Sequence, residues 1–499
     1  MAVLEPAKNP GDDPGEASVA QIGAALAAGS VSSRGLVEHY LARIAAYDGN
    51  GPALNAVAVI NPEAAAEAER CDRERAAGAP CGPLHGVPIL VKDNYETAGM
   101  QTAAGSVTLA GWIPPGDATL VARLRAAGAI VLGKANMQEF AYGIVGVGSL
   151  YGQTRNPYAP DRNPGGSSSG TGAAIAAGFA ALGMGSDTCG SIRIPAAHNC
   201  LAGIRSTQGL LSRAGIVPMS HTQDVGGPMA RSVADLAIVL DATAGWDPAD
   251  PQTALAVGNV PSSFAAALRP DALAGARIGL LTHLFGSDPE DGEVAALVRD
   301  AAEAMRRLGA ALVEVAIPGL AGLLTDRYAG HLVLVSDVKF DLDAYLASRP
   351  TAPVRSLDEI LASGRVHPVV EPSLRRSQAV ASRDTKEYWE HLARRATLRQ
   401  TVLQAMAEAG LDALLYPPIR RKAAPIGEPQ PGTNCHLAAN SGLPALVVPA
   451  GFTADGLPVG VELLGRPWSE ARLLGLGYAY EQATKHRRPP ASTPPLDPS

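Results

Sequence analysis

The chain has 499 residues, of which 46% are hydrophobic and 18% charged, and its formal net charge is −7 at pH 7. That is enough to bury a large core, in several average domains or one large α/β unit. The mildly acidic balance, without long Lys/Arg runs, excludes a nucleic-acid footprint, and no stretch is long and apolar enough for a membrane span. Five cysteines (71, 81, 189, 200 and 435) form an odd, sparse set without C-x-x-C spacing. They argue against a disulfide scaffold and against a zinc site, and fit the reduced thiols of a cytoplasmic protein.

Residues 1–16, "MAVLEPAKNPGDDPGE", are acidic and Pro/Gly-rich, with neither the basic region nor the apolar region of a secretory signal. They read as a flexible tail. From 17 to 53, apolar residues at helical spacing, broken at Gly29-Ser30, predict a helical hairpin. "GVPILVKDNYET" (86–97) predicts a strand that runs into charged residues. Residues 117–141 predict a helix, a buried strand "AIVLG" and a helix start. The small-residue run from 170 predicts a buried helix followed by a strand, and 276–284 predicts another strand. Long helices are expected over 289–309 and 373–409, with a helical lid over about 318–425. Residues 441–466 read as a β-hairpin turning at Ala454-Asp455-Gly456. The alternation from about residue 54 onward predicts one α/β domain over 17–499, with a mixed, twisted sheet covered by helices on both faces.

Several stretches imitate known motifs. "GAIVLGKA" (128–135) has phosphate-loop spacing but lacks the closing Ser/Thr, and its centre reads as a strand. "SDVK" (336–339) fits S-x-x-K without any companion motif. "GSSSG" (166–170) would make Ser168 an elbow nucleophile, but the elbow requires a preceding strand and Pro164 opposes one. No pattern singles out His85, His198, His221 or His436 as a base, so a Ser-His-Asp hydrolase stays the weaker enzyme reading.

Three other features fit together: Lys92 at the end of an apolar strand, the tract "GGSSSGTG", and "GSDTCGSIRIP" with Ser191 after a small-residue turn. In motif and in the spacing of Lys92, Ser167 and Ser191 they resemble the amidase signature family of serine hydrolases. The likeness runs from about residue 17 to about 485, through "SHTQDVGGPMARSVADLA" and "GLPVGVELLGR". The resemblance implies Ser191 as nucleophile and Ser167 as a bridging serine after a cis Gly166–Ser167 peptide. It implies Lys92 as a base that works only when neutral, a state favoured by burial.

The resemblance also implies an oxyanion hole from the backbone N–H groups of Thr188, Cys189, Gly190 and Ser191. Ser168, Asp187 and Arg193 would support the site. Cys189 stands where the family commonly has Gly, and inert packing is its expected role. The implied activity is hydrolysis of carboxylic amides, extending to anilides, carbamates (urethanes) and esters, through an acyl-enzyme and without metal or organic cofactor. The alternative within the family is the glutamine-hydrolysing subunit of a tRNA amidotransferase. The "SHTQD" segment and the irregular 318–425 region resemble a stand-alone, peptide-amidase-like enzyme instead, a monomer or homodimer. Met137, Tyr142 and Ile144 in the apolar run 135–152 are candidate pocket walls, pointing to a hydrophobic or aromatic small-molecule substrate.

Overall fold

The computed structural model describes residues 13–325 and 331–496. Its strands, in chain order, are β1 (Val57–Ile60), β2 (Pro88–Lys92), β3 (Ile130–Ala135), β4 (Val147–Gly148), β5 (Gly152–Gln153), β6 (Leu182–Asp187), β7 (Ala202–Arg205), β8 (Val225–Ala230), β9 (Arg277–Leu280), β10 (Ala311–Glu314), β11 (Ala413–Tyr416), β12 (Ala445–Phe452) and β13 (Pro458–Leu464). β4 and β5 pair by themselves. The other eleven form one mixed sheet in the order β1-β3-β2-β6-β8-β7-β12-β13-β11-β9-β10. Helices flank it, so the fold is the mixed α/β sheet that the alternation of elements predicts.

The sheet explains where chemistry collects. β2, β3 and β6 are buried along their whole length, as parallel strands covered on both faces must be. β2 runs parallel to both β3 and β6. The carboxyl ends of β2 and β6 therefore open on the same edge, where open α/β sheets place their ligands. Lys92 ends one strand, and Ser186 and Asp187 end the other.

The helix Ser169–Ala176 covers this edge, and all eight of its residues are buried. Only small residues allow so close an approach. A Cβ on Gly170 would stand 2.2 Å from the Ala56 carbonyl oxygen, and one on Gly183 of β6 would stand 2.5 Å from Thr171 Cγ2. The scarcity of aromatics in the chain is thus matched by backbone-to-backbone packing.

Three expected boundaries move. Pro14–Glu16, placed in the flexible tail, form a 3-10 turn capped by Asp13. Tyr40 Oη donates to the Pro14 carbonyl at 3.1 Å, and Arg487 pairs with Glu16 at 2.7 Å. The rest of the tail, residues 1–12, lies outside the described residues. The helix expected over 373–409 is two, Glu371–Gln378 and Lys386–Glu408. Thr385 restarts the second by accepting a hydrogen bond from the Tyr388 N–H.

The segment 318–425 is helical only in part. The helices His331–Ala347, Leu357–Ala362 and Glu371–Gln378 build a second apolar cluster with Trp112, Met137, Phe140 and Met219. Ala413–Tyr416, however, enters the main sheet between β13 and β9 as β11. Residues 326–330 of the same segment lie outside the described residues.

Candidate active site

Lys92 is completely buried. Its Nζ donates to Ser167 Oγ at 2.7 Å and to Ser186 Oγ at 2.9 Å, and Ser186 Oγ also accepts from Asn94 Nδ2 at 3.0 Å. Burial removes the ammonium from water and lowers the Lys92 pKa to about 7, against the opposing pull of the Asp187 and Asp224 charges. A lysine at the end of an apolar strand thereby becomes a base that is half neutral near neutral pH.

The serine tract reaches Lys92 through backbone geometry that glycine permits. Gly165 has φ +74°, and the Gly166–Ser167 peptide is cis. A Cβ on Gly165 would lie 3.0 Å from the Pro195 backbone. The Ser167 carbonyl accepts from the Gln138 N–H at 3.0 Å, and the Ser168 N–H donates to the Ser191 carbonyl at 3.3 Å. The tract is therefore tied directly to the turn that carries Ser191. Ser168 Oγ donates to the Ser186 carbonyl at 3.2 Å and accepts from the Ser186 N–H at 3.3 Å. Its hydroxyl holds β6, while that of Ser167 faces the lysine.

The turn after β6 is built around Asp187. This carboxylate accepts from the N–H groups of Gly190 (2.8 Å) and Ile192 (3.1 Å). It also pairs with Arg193 at 3.1 Å and Arg205 at 2.9 Å, all three side chains being fully buried. Burial alone would push its pKa up, but the two guanidinium groups hold it well below the usual carboxylate range. One expected oxyanion donor is thereby corrected: the Gly190 N–H is already given to Asp187. Among the described residues, no acceptor takes the N–H of Thr188, Cys189 or Ser191. Nor does a hydrogen bond join Ser167 Oγ to Ser191 Oγ among them; the link made is Lys92 to Ser167. Such contacts often close only around substrate.

Behind the turn lies a layer that no local motif announces. Arg193 Nη1 donates to Glu462 of β13 at 2.9 Å, and Tyr416 Oη of β11 donates to the same oxygen at 2.6 Å. Removing one partner of a buried ion pair typically costs about 3–5 kcal/mol. Glu462→Ala is accordingly expected to lower unfolding free energy by about that amount in a urea titration. A loss under about 1 kcal/mol, the range of surface pairs, would show the pair to be energetically idle.

The cysteine expectation fails at this turn. Cys189 and Cys435 form a disulfide across 246 residues, whereas Cys71, Cys81 and Cys200 are free. Spacing rules read neighbours in sequence, so a pair brought together by the sheet escapes them.

A cavity of about 440 Å³ opens beside the turn. Asn94, Ser186 and Thr188 line it at the Lys92 end, and Ala141, Ile216, Val217, Pro218, Met219 and Tyr345 supply apolar wall. Charged groups also line it, each already held: Arg213 by Asp250 at 2.7 Å, Arg349 by Glu96 at 2.6 Å, His221 by Asp341 at 2.9 Å, and Asp224 by Thr188 Oγ1 and the N–H groups of Met219 and Ser220.

The pocket walls expected from sequence are not these. Met137 is fully buried in the second apolar cluster, against which Tyr142 packs. Ile144 lies under Gly166, beside Ile194 and Cys189. An apolar run looks alike in sequence whether it faces core or cavity.

The imitative motifs resolve as structure. Lys134 of "GAIVLGKA" is buried and donates to the Tyr95 carbonyl at 2.6 Å. Lys339 of "SDVK" holds the Val380 carbonyl at 3.0 Å. His198 is buried, with its pKa lowered to about 4 by that burial, and His85 pairs with Glu74 at 2.9 Å.

The family profile named Amidase matches residues 35–474. A glutamyl-tRNA(Gln) amidotransferase subunit from Symbiobacterium thermophilum is 37% identical over 482 residues, 94% of this chain and 97% of that protein. The corresponding subunit from Ralstonia pickettii is 36% identical over 95% of this chain and 99% of its own length. Among solved structures, native peptide amidase from Stenotrophomonas maltophilia superposes with a TM-score of 0.88 at 42% identity, covering 95% of this chain and 98% of its own. An amidase family protein from Bacillus anthracis gives 0.86 at 33%, covering 98% and 95%. With a buried lysine on a cis-linked serine and a profile match over nearly the whole length, the chain belongs to the amidase family, whose enzymes act on C–N bonds.

Proposed function

We propose that the chain is a stand-alone amidase that cleaves uncharged amides through Ser191, Ser167 and Lys92, by way of an acyl-enzyme. The observation that carries this reading is the 2.7 Å hydrogen bond from a fully buried Lys92 to Ser167. Neutral Lys92 Nζ takes the Ser167 Oγ proton while Ser167 takes that of Ser191. Ser191 Oγ then attacks the carbonyl carbon. The oxyanion sits on the N–H groups of Thr188, Cys189 and Ser191, the donors that find no acceptor among the described residues. The relay reverses to protonate the nitrogen, the C–N bond breaks, and the amine departs. Water, activated by the same relay, cleaves the ester and releases the acid.

The apolar wall and the paired arginines favour a neutral, hydrophobic or aromatic substrate, carbamates and anilides included. The second reading, a glutamine-hydrolysing subunit, is favoured by the relatives named as amidotransferase subunits, which are 36–38% identical to this chain. Peptide amidase, at 42% identity, favours the first.

The test uses the isolated chain. A fluorophosphonate should label Ser191 alone, and Ser191→Ala should abolish turnover of a neutral anilide panel. Labelling at another serine sinks the nucleophile assignment. Turnover of glutamine that appears only when partner subunits are added sinks the stand-alone reading.

A further inference from the structure

We propose that Cys189 and Cys435 are a reversible thiol–disulfide site that sets the geometry of the nucleophile turn, the oxidised form being the more active. The inference rests on the reading of residues 188–191 as oxyanion donors and nucleophile.

Asp187 fixes the N–H groups of Gly190 and Ile192. The N–H groups of Thr188 and Cys189 have no such acceptor among the described residues; the peptides that carry them are held through their carbonyls, that of Asp187 by Arg205 Nη1 and that of Thr188 by Gln223 Nε2 at 3.3 Å, and through the two side chains. Thr188 is anchored by Oγ1, which donates to Asp224 at 2.6 Å. Cys189 is anchored by its bond to Cys435. Cys435 in turn packs against the turn itself. A Cβ on Gly190 would lie 2.8 Å from Cys435 Cβ, and the Cys435 carbonyl accepts from Arg193 Nη2 at 3.1 Å. Breaking the S–S bond therefore removes the side-chain anchor of Cys189 and leaves its peptide on the 3.3 Å contact from Gln223, so this oxyanion donor shifts while the rest of the turn stays held.

The bond is also placed for exchange. Cys189 is partly exposed, whereas Cys435 is buried, so an incoming thiolate meets Cys189 Sγ. His436 Nδ1 lies 3.4 Å from that sulfur, and an imidazole beside a cysteine stabilises its thiolate. The reductant is a dithiol. Its first thiolate bonds to Cys189 Sγ, the S–S bond breaks, and Cys435 leaves with the electron pair and takes a proton. The second thiolate then displaces Cys189, which is protonated in turn. The protein gains two electrons and two protons, and the dithiol becomes a cyclic disulfide.

Full-length wild-type protein is equilibrated at graded ratios of reduced to oxidised dithiothreitol, with a chelator present. kcat and KM for an amide are measured, and alkylation at each cysteine is counted by mass spectrometry. Losing one well-placed oxyanion donor costs about 10²–10³-fold in kcat, and a displaced one about tenfold or more. The expected result is that kcat falls by about tenfold or more in step with release of the two thiols, at little-changed KM, and recovers on reoxidation. Cys435→Ser should stay at the low value at every ratio, while Cys81→Ser follows the wild type.

A kcat that stays flat while both thiols titrate overturns the proposal. So does full alkylation of both cysteines in the most oxidising buffer. Loss that appears only when zinc replaces the chelator reassigns the Cys189, Cys435 and His436 donors, which lie within 4.8 Å of one another, to an inhibitory metal site. Full activity in Ser191→Ala defeats the catalytic reading instead, and leaves the thiol titration standing.

Discussion

Lys92→Ala is expected to lower kcat for an amide by about 10²–10⁴-fold, the range of a positioned general base, while leaving a folded protein. The argument turns on charge state. Among the described residues, Lys92 forms no ion pair with a carboxylate, and its Nζ bonds to the oxygens of Ser167 and Ser186. Burial therefore dominates and brings its pKa to about 7. As a base it works only when deprotonated, so kcat/KM should rise with pH, with a midpoint near 7, and stay high into alkaline pH. Lys92→Arg is the sharper variant. It keeps the positive charge but cannot lose it in this range, so it should be as inactive as the alanine variant. A wild-type rate limb that survives in Lys92→Ala, or one that disappears on replacing His221 or His436, would transfer the role of base to another group.

The residues that sequence makes legible are those whose chemistry is written locally. Lys92, Ser167 and Ser191, the proposed catalytic set, stand in short stretches rich in glycine and small residues, and the sheet brings those stretches together because β2 and β6 are neighbours. The supporting layer is different. Glu462 and Tyr416 reach the turn from strands, and Cys435 from the residue that precedes the helix His436–Ser441, all far along the chain. Nothing near them in sequence separates a buried glutamate from a solvated one, or a bonded cysteine from a packed one.

The cavity wall from Ile216 to Met219 is a loop, and loops carry no periodicity to read. The strand β11 was hidden by its setting, four apolar residues after a long helix, where length alone does not distinguish strand from helix end. Thr385 precedes a helical run as a capping residue does, but the Ala-, Arg-, Glu- and Leu-rich sequence on either side masks the break.

Two of the three adjacent hydroxyls of the tract, those of Ser167 and Ser168, make different contacts, and that difference is the second large effect to measure. Ser167 Oγ accepts from Lys92 and, in the proposed relay, both takes and returns the proton of Ser191. Among the described residues, Ser168 Oγ bonds only to the backbone of Ser186. Ser167→Ala should therefore lower kcat by about 10²–10⁴-fold with little change in KM, because the lost interaction exists only in the transition state. The loss should be larger for an amide than for an ester of a good leaving group, since only the amine must be protonated as it departs. Ser168→Ala removes hydrogen bonds to the Ser186 backbone worth about 0.5–1.5 kcal/mol each. It should cost roughly tenfold or less, on amide and ester alike. Steady-state kinetics of both variants on a matched amide and ester decide the matter. Equal losses at the two serines on both substrates would mean that the tract acts through loop shape alone, and the relay through Ser167 would have to be given up.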